Sequence, residues 1–530
     1  MSKERKSRAF NPQYESPRQL EFAGFESPFS KTLNPENRWV VLANLIPWDE
    51  ICFPVRRQFG NSAAGRKPLN QRIVIGSLII KYMLNPDDRE TVSQITENMY
   101  MQYFLGYSSF IDQAPFDASL FVDFRKALGM ETINAINEKT VQLKTRLEEK
   151  NREKVKAKSL CEPSGSPTTV IERSRNMDNP EENPQEEVVT HKGKVLFDAT
   201  ACPQDIAYPT DLNLLSDARE KAEELIDSIY NKELHSRKPR TYRKEARKYY
   251  LQTAQKKNRT KKSIRKAVGK QLRYLKRDIG ILHHLLDAYP GLPFDRHQLK
   301  YFYVIQTLYD QQKEMYDNKV HSVPYRIVSI HQPHVRPIVR GKDQAKVEFG
   351  SKIHVSMIDG ISFVDRLSWE AFNEGSQLQN YVEHFCRRFG CYPREVLADK
   401  IYCTRVNRAW LKEKGILLRA KPLGRPSAVS IHVSPGERNP IEGKFGQGKT
   451  AYGLNRIKAR LMTTSESWIA CIFLVLNLVK LAGVALPYQI LTMSQNLTAW
   501  WQRLILNPKS EYWDLYGYWK LERCGAEARI

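Results

Sequence analysis

No CxxC pair occurs among the eight cysteines, which lie scattered at positions 52, 161, 202, 386, 391, 403, 471 and 524. A zinc ribbon or a disulfide framework is therefore not expected, and the thiols read as small buried hydrophobes in a reducing cytoplasm. No apolar stretch follows the charged start of the chain, and the longest apolar run, Trp468 to Val479, stops at Lys480. A membrane span needs roughly 20 such residues, so neither secretion nor membrane insertion is expected. Internal repeats are also missing, which excludes solenoids and propellers. Acids are in short supply: 59 Asp and Glu stand against 83 Lys and Arg, a net charge of +24. An excess of that size predicts a polyanionic partner, with nucleic acid first, because each phosphate neutralised releases counterions. The 41% hydrophobic and 10% aromatic content excludes a wholly disordered chain, and 530 residues predict several structural units rather than one core.

The charge is unevenly spread, and that spread gives a domain plan. From Trp39 to about Lys150, apolar residues recur at helical spacing, with Asn85-Pro86-Asp87-Asp88 as a break and cap between two helices. This reads as an all-helical N-terminal domain (1–150). Residues 151–191 carry Pro, Ser, Asn and Glu with few large apolar side chains, the composition of a flexible acidic linker. A short β run from Lys194 then bears Asp198. Residues 212–335 read mostly as long helix, and between Ser236 and Arg277 there are 18 Lys and Arg against one acid, Glu245. Tyrosines alternate with these bases, the pattern of a surface that grips a phosphate backbone. The candidate DNA contacts there are Arg243, Lys244, Arg247, Lys248, Lys256, Lys257, Lys261 and Lys262.

Strand-like alternation returns at Val347 to Met357 and Ile361 to Ser368, joined by an Asp359-Gly360 hairpin signal. An amphipathic helix (Leu378 to Phe389), an apolar run ending on Asp399, a short helix, a strand (Ile416 to Ala420) and a last long helix from about Pro440 follow. The fold class expected is α/β and multidomain: a core over 192–211 and 336–465 interrupted by the basic helical insertion (212–335), with a C-terminal helix and tail over 466–530.

Asp is disfavoured in strands, and a buried carboxylate is costly unless it is paired or coordinates a cation. Asp198 and Asp399 therefore need compensation, by a basic side chain or by a hard cation such as Mg2+ or Mn2+. Glu442 supplies a third acid at the start of the last helix, with Asn439 as N-cap and Pro440 as first residue, and Lys449 returns to the same helical face. Three carboxylates can hold two divalent ions for phosphodiester displacement. Taken singly, each acid reads equally well as a cap or turn residue, and Glu442 has capping-box spacing from Asn439. Asp205 is the substitute should Asp198 not be a ligand.

These residues together resemble the DDE insertion-sequence transposases, in particular the insertion sequence five type. The matching segments are ValLeuPheAspAlaThr (195–200), AlaTyrProThrAsp (207–211), ValLeuAlaAspLys (396–400) and Arg438-x3-Glu442-x6-Lys449, followed by TyrGlyLeuAsnArgIleLysAlaArgLeu (452–461). IleProTrpAsp (46–49), GlyArgLysPro (65–68) and GluAsnMetTyrMetGlnTyrPheLeuGly (97–106) resemble that family's helical N-terminal domain. Pro435 departs from the wider superfamily, where Tyr is frequent three residues before the signature Arg. The resemblance implies a ribonuclease-H-like core with Asp198, Asp399 and Glu442 as catalytic and metal-binding triad. It implies Mg2+ or Mn2+ as cofactor, and double-stranded DNA (terminal repeats and target) as partner. Arg438, Lys449 and Arg456 would contact DNA, and a homodimer would form on it in the bacterial cytoplasm, with the nucleoid.

Competing signals are weaker. GlyLysPheGlyGlnGlyLysThr (443–450) matches the P-loop pattern formally but follows two prolines and no strand. His331 and His334, or Cys386, Cys391 and Cys403, lack the spacing of a closed zinc site. Asp359 reads as a turn residue, and Asp211, Asp365 and Glu370 as solvated or capping acids. The alternative function is a DNA-binding protein derived from such an enzyme that has lost cleavage; a nuclease of the same fold is a third reading.

Overall fold

The computed structural model describes residues 33–56, 69–139, 142, 191–339, 347–420 and 435–481. The acidic linker, the GlyArgLysPro motif, Cys161, Cys524 and the tail beyond Leu481 lie outside the described residues.

The N-terminal part is helical, as expected: α1 (Arg38–Leu45), α2 (Trp48–Arg56), α3 (Gln71–Leu84), α4 (Asp88–Glu97), α5 (Met99–Phe104), α6 (Leu120–Ala127) and α7 (130–139). Asn85 ends α3 in the left-handed conformation with φ 58°, and Asp87 caps α4 by accepting from the Glu90 amide at 2.8 Å. The expected break thus falls where Asn85-Pro86-Asp87-Asp88 placed it. α3 is buried almost all round, from Arg72 to Met83, the mark of a helix inside a core rather than on its surface.

The six strands are β1 (Lys194–Pro203), β2 (Arg336–Val339), β3 (Val347–Ile358), β4 (Ile361–Ser368), β5 (Glu395–Leu397) and β6 (Leu417–Arg419). They form one mixed sheet in the order β2-β3-β1-β5-β6, with β4 also paired to β3. β1 runs antiparallel to β3 and parallel to β5, which is parallel to β6. The β3–β4 hairpin turns at Asp359 and Gly360, whose φ values of 49° and 83° are both left-handed, as a two-residue hairpin turn requires. On one face of β1, Phe197 packs with Tyr381, Val382 and Phe385 of α12 (Leu378–Phe389). Cys202, with Ile353 and Val355 of β3, joins the opposite layer. That layer contains α14 (Pro435–Ala451) and α15 (Met462–Leu481), and α13 (Arg405–Glu413) lies between β5 and β6 in sequence.

α15 fastens the N-terminal helices to the sheet. Its residues are buried from Ser467 to Val479, and it packs on α3, α6 and β4. It begins at Met462, inside the range expected of the catalytic core, and it is no separate appendage. The helix is long and apolar enough to cross a membrane, which the shorter apolar run in the sequence did not suggest. Its most apolar window is 83% buried inside the fold, as befits a core helix. Asn477 sits in that core and pins the seam: its amide donates to Asn137 Oδ1 of α7 and to the Ser362 carbonyl, both at 2.7 Å.

The basic insertion folds on itself. α8 (Asp211–Ile229), α9 (Arg243–Ala254), α10 (Lys261–Leu286) and α11 (Arg296–Asn318) enclose a core of Leu215, Ala218, Leu272, Leu275, Ile305 and Leu308, distinct from those of the sheet.

Candidate active site

Strand register brings the two aspartates together. β1 and β5 pair in parallel with Leu196 opposite Leu397, so counting two residues on from each places Asp198 beside Asp399 at the end of β5. Neighbouring strands lie about 4.8 Å apart, close enough for the two charges to oppose each other. Asp198 is 14% exposed and accepts from the Ala199 amide at 2.8 Å. Burial pushes its carboxyl up to about 6, and the Asp399 charge adds to the rise while Arg438 opposes it.

Glu442 comes from α14, and here the structure corrects the sequence. The helix begins at Pro435, not at Pro440, so Asn439 and Pro440 are interior and Glu442 is no capping-box residue. Pro440 lacks the N–H that would bond back to the Gly436 carbonyl, so the second turn of α14 goes without one of its hydrogen bonds. The earlier start places Arg438 one turn before Glu442 on the same face.

Arg438 is the centre of the arrangement. Its guanidinium is ion-paired with Asp399 through Nη1, while Nη2 lies 3.9 Å from Asp198 Oδ2 and 4.0 Å from Glu442 Oε1. One cation thus reaches all three acids, although no spacing along the chain seats Arg438 among them. Asp399 and Glu442 are 49% and 61% exposed, so the site opens to solvent on their side. The donors are carboxylate oxygens alone, the set preferred by Mg2+ or Mn2+. Among the described residues no group of three His, Cys, Asp or Glu could hold a metal ion as the side chains stand. The acids fit such an ion in chemistry, and Arg438 supplies the positive charge among them.

Other candidates resolve plainly. Residues 443–450 lie wholly within α14, so the P-loop-like string is a helix segment and not a phosphate loop. Asp205 pairs with Arg456 at 2.9 Å, and Asp211 with Arg326 at 2.7 Å. Asp365 is not solvated as expected: it is fully buried, 2.5 Å from Arg388 Nη1 and 3.2 Å from His354 Nδ1. Burial would raise its pKa, but His354 and Arg388 hold it below the usual carboxylate range. His334 meets Trp369 edge to face, His331 hydrogen-bonds Tyr301, and Cys386, Cys391 and Cys403 are free thiols. Glu374, which sequence reasoning missed, adds to the negative field at Asp198.

In the insertion, Lys244, Lys248, Lys256, Lys257, Lys261 and Lys262 are exposed, and among the described residues none of them forms an ion pair. Arg243 pairs with Asp227 at 2.9 Å and Arg247 approaches Glu220 at 4.0 Å. The interleaved tyrosines carry cations: Lys270 lies 3.4 Å from the Tyr249 ring centre and Arg277 5.1 Å from that of Tyr242. Lys449 is half-buried on α14.

Comparison with known proteins points to transposases. Residues 396–479, which include Asp399, Arg438 and Glu442, match the family model described as transposase DDE domain, and residues 27–127 match the transposase domain DUF772. Both matched segments are transposase models, and together they support a DDE insertion-sequence transposase. It is also similar to a curated protein of Rhizobium meliloti described as uncharacterized protein ORF8 in nfe locus. The two are 30% identical over 120 residues, 22% of this chain and 56% of that protein. The chain thus spans about half the length of that relative. No solved structure matches the chain significantly. Asp198 lies outside both matched segments and rests on the strand register alone.

Proposed function

We propose that the protein cuts DNA at the ends of an insertion sequence and joins the freed 3′-hydroxyl to target DNA. Asp198, Asp399 and Glu442 are the acids at the reacting phosphate in this reading. The observation that carries it is the meeting of these three carboxylates, drawn from two strands and a helix, around the single guanidinium of Arg438. The order β4-β3-β1 antiparallel followed by β5 and β6 parallel supports a ribonuclease-H-like core. The segments at 207–211 and 452–461 support the insertion sequence five type.

Bound Mg2+ or Mn2+ would supply Lewis acidity, activating the attacking oxygen and stabilising the leaving one. Asp198, Asp399 and Glu442 would hold those ions at the reacting phosphate. In the first step a water oxygen bonds to phosphorus and the bond to the 3′ oxygen breaks, leaving a 3′-hydroxyl and a 5′-phosphate. In the second, that hydroxyl attacks a target phosphodiester and a target 3′ oxygen leaves. Each step exchanges one P–O bond for another, so no protein-linked intermediate and no oxidant are needed. Arg438, released from the acids, and Lys449 and Arg456 would hold backbone phosphates. The exposed lysines of α9 and α10 would bind DNA through its phosphates irrespective of sequence, and the N-terminal helices would read the terminal repeats. Two ends must be cut together, which supports a homodimer on DNA.

A supercoiled plasmid carrying the native ends tests this. Nicking that requires Mg2+ and is lost in Asp399→Ala, together with strand-transfer products, is expected. Salt-sensitive binding with no cleavage would overturn the reading in favour of a binding protein, and cutting without joining in favour of a nuclease.

A further inference from the structure

After β4 the chain turns through Asn373, Glu374 and Gly375 before α12 begins. The Asn373 side chain accepts from the Gly375 amide at 3.0 Å and closes the turn. This turn is keyed to the one at Lys400–Tyr402 that directly follows Asp399. A Cβ on Gly375 would overlap the Ile401 carbonyl oxygen, so only glycine permits the approach. The buried Asn407 amide then bridges the two turns, donating to the Gly375 carbonyl at 2.6 Å and to the Tyr402 carbonyl at 2.9 Å. Glu374 and Asp399 are carried on one rigid unit.

The Glu374 side chain is only 14% exposed and lies 2.6 Å from Lys352 Nζ, which also donates to the Phe372 carbonyl at 2.9 Å. Its charge reaches Asp198. Tyr402, which ends the turn after Asp399, is fully buried, and its hydroxyl has no hydrogen-bond partner among the described residues. Among the carboxylates whose charge bears on that hydroxyl, Glu374 acts most strongly, then Asp198 and Asp399. A buried hydroxyl left without a partner is destabilising, and such a group calls for an explanation. A donor facing carboxylates finds its partner when one of them shifts.

We propose that Glu374 is a fourth carboxylate of the cation-binding centre, entering from the α12 side of the sheet, and that Tyr402 is the positioning donor that receives it when it leaves Lys352. The inference rests on the reading of Asp198, Asp399 and Glu442 as the cation-holding acids. Four carboxylates would balance the charge of two divalent ions, which three do not. Lys352 and Arg438 then act alike, each neutralising acids in the metal-free protein.

Mn2+ binding to the full-length, DNA-free protein, read from the electron paramagnetic resonance of free Mn2+, tests this without reference to activity. Glu374→Gln is expected to weaken binding about tenfold and Tyr402→Phe by a smaller factor, the range of supporting residues around a metal. Lys352→Met, which frees Glu374, is expected to tighten it. Asp399→Asn serves as reference and should abolish binding. If Glu374→Gln binds Mn2+ as the wild type does while Asp399→Asn does not, the fourth carboxylate is overturned and the three-acid centre stands. If Asp399→Asn also binds as the wild type does, the centre itself is overturned. Melting temperatures identify variants that fail to fold. Should Glu374→Gln be one, unchanged or weaker binding by Lys352→Met overturns the proposal.

Discussion

Arg438 and Asp399, 39 residues apart in sequence, are joined by a direct ion pair that also draws Asp198 and Glu442 toward the same guanidinium. The pair makes Arg438 the counter-charge of the metal-free centre. Arg438→Gln is expected to lower stability without metal by about 1–3 kcal/mol, since it leaves clustered carboxylates uncompensated. The same variant should gain more in melting temperature on adding Mg2+ than the wild type does, because no guanidinium competes. Thermal melts with and without Mg2+ decide it; an equal or smaller gain would show that Arg438 does not compete with the ion.

Asp88 holds two buried cations in the helical part, Lys81 at 2.6 Å and Arg125 at 2.9 Å. Burial raises its pKa, but the hydrogen bond from Arg125 and the Lys81 charge outweigh that and hold it below the ordinary value. A depressed carboxyl contributes stability that is present above its unfolded value, near pH 4, and lost as pH falls through the lower folded value. Asp88→Ala should therefore cost about 3 kcal/mol at pH 7, by stranding the cations, and progressively less in acid. Melts at neutral and acidic pH would contradict this if the loss did not shrink.

Substituting Gln for Lys244, Lys248, Lys256 and Lys257 should leave folding intact, since all four are exposed. Each phosphate that a lysine no longer neutralises should flatten the dependence of log K on log salt by about 0.9. Fluorescence anisotropy over a salt series measures the slope; an unchanged slope would remove this face from the DNA interface.

Gly443 and Gly446 lie in α14 with open space where a Cβ would go. Gly443→Ala should stabilise the protein by about 1 kcal/mol, as in any helix interior. If nucleic acid closes on this face, the same change weakens DNA binding while it raises the melting temperature. A destabilised Gly443→Ala protein would contradict the helical assignment.

The hairpin, α12 and β1 are legible in the sequence because their signals are local: alternation, an Asp-Gly turn, and the left-handed Gly390 that ends α12 at φ 69°. The start of α14 is not, because Asn439 and Pro440 carry the chemistry of a helix beginning while lying inside one. The Asp365–His354–Arg388 network is hidden because its members come from three separate elements, and no spacing rule connects them. Glu374 leaves only a faint trace, an Asn-Glu-Gly turn a few residues after β4, and its significance depends on a glycine packed against a distant carbonyl. Periodicity reports which face is buried; it does not report which charges meet across the fold.

Because α15 serves as common interior for the N-terminal bundle and for the hairpin of the sheet, neither half can drift far in evolution without the other. A change that loosens the packing on one side of α15 is transmitted as lost rigidity on the other, so the helical part and the hairpin share one mechanical fate.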